Sequence, residues 1–123
     1  MIKYTKKWQV NRMNCVIILI YVIEIIIYAV IAHILMKKHS EFPDFSVGYH
    51  MKGAMESKEK WDFSNKTAGI LCIVFSVIFL ISAVITFITD MSRAAILTLF
   101  FTVSVTAVIF VILVPAILLK KRF

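Results

Sequence analysis

"AGILCIVFSVIFLISAVITFITDMSRAAILTLFFTVSVTAVIFVILVPAILL", residues 68–119, is two long apolar runs joined by five residues, TDMSR. Neither run, 68–88 or 94–119, carries a charged side chain. A bilayer core about 30 Å thick needs ~20 apolar residues to be crossed as a helix. Barrel strands would be ~10 residues long with alternating polarity, and no such alternation is present. Both runs therefore read as membrane-spanning helices, and the short link forces them into an antiparallel hairpin. A third run, residues 15–35, is interrupted only by Glu24 and His33. The expected fold is an all-α membrane protein with three transmembrane helices. It forms one domain, 1–123, with spans at about 15–35, 68–88 and 94–119 and a polar loop at 37–66.

Composition agrees. The chain is 61% hydrophobic, with three Gly and two Pro, and its mean hydropathy is +0.91. Soluble domains are nearer 45–50% apolar. The first apolar run is longer than a signal-peptide core and is followed by no small-residue cleavage site, so it reads as a span. Cys15 and Cys72 both fall inside spans and read as small packing residues.

The net charge of +7 is distributed for lipid headgroups rather than nucleic acid. Lys3, Lys6, Lys7 and Arg12 precede the first span, and Lys120, Lys121 and Arg122 follow the last. With Tyr4, Trp8 and Val10, the N-terminal cations form a basic interfacial segment. Six Lys in residues 37–66 and three basic residues at the C-terminus make nine, against five in the N-terminus and second link. The positive-inside rule then predicts an outside N-terminus, with the long loop and C-terminus in the cytoplasm.

Polar residues inside the spans mark places of interest. Glu24 is the costliest, since an ionised carboxylate at a span centre costs roughly 3 kcal/mol on insertion scales. Tyr21 and Tyr28 share its helical face, and Asn14 lies near that face, giving an intramembrane polar seam. It reads either as an interhelical clamp or as a proton- or cation-coupled site. His33 points to the opposite side. In the second span Gly69, Cys72, Ser76, Ala83 and Thr86 form a small-residue face suited to close helix approach, in cis or in a dimer. Thr98, Thr102 and Thr106 are spaced four apart in the third span. Pro115 removes one backbone donor, leaving the Val111 carbonyl without its usual partner and predicting a bend.

The loop divides at Pro43, which biases Phe42 away from helix. From Ser57 the run "SKEKWDFSNKTAG" continues into the second span without a break. Ser57 is an N-cap candidate and Glu59 suits the positive end of the helix dipole. The expectation is a helical lead-in with Trp61 at the membrane boundary and Asn65 just inside it. No metal-ligand spacing, nucleophile–base set or phosphate-cradling Gly loop is present. Asp44, His50 and Glu56 match no ligand pattern, and no cofactor and no enzymatic activity are expected.

"GYHMKGAMESKEKWDFSNKTAG", residues 48–69, resembles the signature of the SdpI/YfhL family of small bacterial membrane proteins. Gly48, Tyr49, Met55, Ser57, Glu59, Trp61, Asn65 and Gly69 fall on that pattern in register. His50-Met51 stands where the family usually has Arg-Thr, and Ala54 where it has Ser. An Arg is permanently charged and forks onto carboxylate or phosphate; His50 is charged only when protonated.

The resemblance implies an immunity protein against a membrane-active peptide toxin, also able to hold a cytoplasmic repressor. Gly48, Tyr49, His50, Ser57, Glu59, Trp61, Asn65 and Gly69 would then be its partner-facing or motif residues. The peptide is expected on the small-residue face of the second helix and at the Glu24 seam. Two alternatives stand beside this: a small proton-coupled exporter of cationic compounds using Glu24, and an accessory subunit of a larger membrane complex or homo-oligomer.

Overall fold

The computed structural model describes the backbone from Ile2 to Phe123 and the side chains from Cys15 onward. The interfacial reading of the N-terminal cations and aromatics, and the place of Asn14, lie outside the described side chains. Three helices carry the fold: α1 (Ile2–Lys37), α2 (Lys58–Ile88) and α3 (Arg93–Arg122). A short 3-10 turn, Lys52–Glu56, precedes α2. No strand is found among the described residues. All three helices hold a stretch long and apolar enough to cross a membrane: Cys15–Lys37, Lys58–Ile88 and Arg93–Arg122.

Capping chemistry sets the helix ends. The Ser57 hydroxyl accepts from the Lys60 N–H at 3.2 Å, and Ser92 does the same for Ala95 at 3.2 Å. Each satisfies one orphan donor of a first turn. Lys120, Lys121 and Arg122 occupy the last turn of α3, where cations complement the negative end of the dipole. The α2 helix has 31 residues, about 46 Å at ~1.5 Å each. That exceeds a ~30 Å hydrocarbon core, so its first turns stand clear as the lead-in expected from sequence.

The central element is α2, which packs extensively on α1 and on α3, while α1 and α3 meet only lightly. The small-residue face does this work in cis. Gly69, Cys72, Ser76, Ala83 and Thr86 are all buried, and the Ser76 hydroxyl donates to the Ile25 carbonyl of α1 at 3.1 Å. A Cβ on Gly69 would lie 3.3 Å from the Ala32 carbonyl oxygen and closer still to Met36, so this glycine brings the two backbones together. This corrects the expectation that the face is available to a peptide; α1 already covers it.

Two apolar cores result. One, in mid-bundle, joins Tyr21, Phe75, Phe79, Ile96 and Ala107. The other, at the loop end, joins Ala32, Leu35, Tyr49, Ala54, Cys72 and Leu119. The outward faces of the helices carry exposed Ile, Val, Leu and Phe, which a bilayer solvates without penalty. Thr98 and Thr102 also face outward, and Thr106 is half-buried. The α-helix continues through Pro115 to Arg122.

Candidate functional site

The loop between α1 and α2 folds back onto the first turns of α2, with Trp61 as its centre. The Trp61 side chain is fully buried, enclosed by the loop and not turned toward lipid. Its indole N–H donates to the Ser40 carbonyl at 2.6 Å. Phe45 packs edge-on against it with ring centroids 5.0 Å apart, and the His50 and His39 rings lie at 6.0 and 6.4 Å. The loop neck is tied by the Ser40 N–H to the Val47 carbonyl at 2.8 Å, and by the Val47 N–H to the Ser40 hydroxyl at 2.7 Å.

Asn65 is the second anchor. Its side-chain carbonyl accepts from the Tyr49 N–H at 2.8 Å, and its amide donates to the Trp61 carbonyl at 2.8 Å. Both groups are buried, and buried polar groups need such partners. Gly48, with φ of +152°, passes directly over this pair: a Cβ there would sit 2.6 Å from the Asn65 oxygen and from the Trp61 ring. Only glycine accommodates both the conformation and the approach. Gly48, Tyr49, Trp61 and Asn65 therefore form one interlocked unit.

Tyr49 extends that unit to the third helix. Its hydroxyl donates to the Ile112 carbonyl and lies beside the Ala116 backbone, near the C-terminal end of α3. Burial pushes the Tyr49 phenol above its ordinary pKa. The adjacent turn is set by Asp44, which accepts from the Ser46 hydroxyl and backbone N–H. Those bonds hold the exposed Asp44 carboxyl below its usual range.

The remaining motif positions differ in kind. Ser57 caps α2, and Gly69 packs on α1. His50 and Glu59 are exposed and can meet a partner in this conformation. Sequence reasoning gave no role to Ser40 or Phe45, which complete the Trp61 enclosure. Neither has a local signal, because each acts through a contact with Trp61, well beyond the reach of local sequence pattern.

Glu24 lies apart, on the light contact between α1 and α3. Its Oε1 accepts from the Ser104 hydroxyl at 3.0 Å. Its Oε2 is buried without a hydrogen-bond partner among the described residues, as is the Tyr21 hydroxyl. Tyr21 packs on Phe79 and Phe100, and Tyr28 packs on Phe79 at 5.1 Å. The stripe read from sequence thus joins around Phe79 through its tyrosines, while the carboxylate turns toward α3.

These features describe a small multi-pass membrane protein whose interfacial loop is locked onto its central helix. The model of the SdpI/YfhL protein family matches residues 43–119, more than half of the chain, and the chain belongs to that family. The match covers the loop unit, α2 and nearly all of α3. No curated protein and no solved structure matches the chain.

Proposed function

We propose that this protein confers resistance to a membrane-active peptide, acting by binding within the bilayer and not by catalysis. Family membership supports the reading, and the observation that carries it is Glu24. An acceptor oxygen without a donor is costly in hydrocarbon, and this one sits where α1 and α3 meet only lightly. A peptide inserting beside α1 and α3 supplies the missing donor from a Lys, Arg or amide group. The locked loop keeps the three helices in register while that seam is engaged, and exposed His50 and Glu59 offer contact to a cytoplasmic repressor.

Charge supports the orientation. The loop and the C-terminus lie at the same end of the bundle, where Phe63 packs against Phe123 at 5.8 Å. Nine of the chain's fourteen Lys and Arg belong to these two segments, and such an excess of cations supports a cytoplasmic side for this end.

The same seam supports a second reading, a proton-coupled exporter of cationic compounds, because a buried carboxyl in a span, with Tyr21 and Tyr28 on the same helix face, is the residue type that carries protons across membranes. Growth of a sensitive bacterium on membrane-active peptides and on cationic dyes separates the two. Peptide protection lost in Glu24→Gln at unchanged membrane abundance is the expected result. Dye resistance that needs Glu24 would establish export instead, and protection that persists in Glu24→Gln would remove the seam from either mechanism.

A further inference from the structure

His39 stands two positions beyond the end of α1, at the neck of the loop. Its Nδ1 lies 2.6 Å from the Leu35 carbonyl oxygen, and its Nε2 lies 3.2 Å from Oδ1 of Asp62 on α2. Leu35 carries one of the last four carbonyls of α1, a set that lacks partners within a helix. Asp62 follows Trp61 directly, and Ser40, the residue after His39, accepts the Trp61 indole N–H at 2.6 Å. One ring thus joins the end of α1 to the first turns of α2, beside the bond that encloses Trp61.

Both contacts ask for a donor. A backbone carbonyl and an ionised carboxylate only accept hydrogen bonds, whereas a neutral imidazole donates from one nitrogen and accepts at the other. Only the imidazolium donates to both. Its charge also suits the negative end of the α1 dipole. The other charged groups lining the same cavity are Lys37 from α1, Glu41 from the loop, and Lys58 with Asp62 from α2. Two ammonium groups face two carboxylates, so these four cancel formally and the proton on His39 is the variable charge. The side chains of His39 and Asp62 are 19% and 47% exposed, which leaves the ring open to proton exchange with water.

We infer that His39 is a protonation-dependent clamp: the imidazolium holds the end of α1 to α2 and keeps the loop closed over Trp61, and loss of its proton releases that closure. Deprotonation leaves one ring nitrogen aiming its lone pair at an acceptor, so one of the two contacts breaks. Histidine changes charge between about pH 5 and about pH 8. The clamp is complete at the acid end of that window and is lost as pH rises through it. The Ser40–Trp61 bond, one residue along the chain, loosens with it.

Acrylamide quenching of the full-length chain in nanodiscs tests this, in a Trp8→Phe background that leaves Trp61 as the sole indole. Trp61 should be shielded at about pH 5, and the population of open loop should rise roughly tenfold by about pH 8, the effect of losing one charge-assisted hydrogen bond. His39→Gln should be accessible across the range. His39→Arg, permanently charged, should be shielded across it. The His50 ring also lies beside Trp61, and His50→Gln should keep the unsubstituted profile. Accessibility that does not change with pH would overturn the proposal. So would a rise that persists in either His39 variant, or one that vanishes in His50→Gln.

Discussion

Gly48 and the Asn65 side chain are packed so closely that a single methyl group on Gly48 would fall 2.6 Å from the Asn65 oxygen. That oxygen is the acceptor for the Tyr49 N–H, so the pair fixes where the loop crosses α2. Gly48→Ala adds a positive-φ penalty, about 1 kcal/mol or more, and displaces either Asn65 or the Trp61 ring. A loss of about 2–4 kcal/mol in unfolding free energy is expected. Thermal or SDS unfolding in mild detergent measures it, and an unchanged midpoint would show that the loop does not need this approach.

Trp61 is expected to act through stability and not through direct contact. Truncating a large buried aromatic costs about 3–5 kcal/mol, and Trp61→Ala also leaves the Ser40 carbonyl without its donor. Membrane abundance of Trp61→Ala should fall along with any protection. Immunoblotting of membranes beside the growth assay tests this: normal abundance with lost protection would instead assign the indole a partner.

Glu24→Gln should preserve the fold. Glutamine keeps an acceptor for the Ser104 hydroxyl and removes a group costing roughly 3 kcal/mol when ionised in a span. Unfolding should occur at the same or a slightly higher temperature. A marked loss of stability would make the carboxylate a structural clamp and weaken the binding role proposed for it.

Alkali should loosen the loop through Tyr49. Its pKa is raised in the folded protein by burial, so the neutral phenol is the form the fold favours. The associated stability is complete below the ordinary tyrosine value of about 10, and is lost as pH rises through the higher folded value. Fluorescence of the folded protein, titrated from about pH 8 to about pH 11 around that reference value, should report a transition that is smaller in Tyr49→Phe. Superimposable curves would assign the alkaline change to other groups.

The spans were legible because transfer of side chains into hydrocarbon is a local property that sums along the chain. The uncharged runs of α2 and α3, the short link between them and the Ser57 cap could all be read without knowing a neighbour. So could the signature residues, as a pattern of types and spacings. Their roles could not. Trp61 as a boundary residue and Trp61 as the centre of a folded loop demand the same local sequence, and only the return of Ser40, Phe45 and Gly48 onto it decides between them.

The helix face of Gly69, Cys72 and Ser76 shows the same division. Small residues at that spacing announce close approach but do not name the occupant, and the tertiary structure assigns it to α1. Hydropathy and capping determined three membrane-spanning helices and their order. Which buried face meets which neighbour depended on contacts between residues far apart in the chain, which no local free energy encodes.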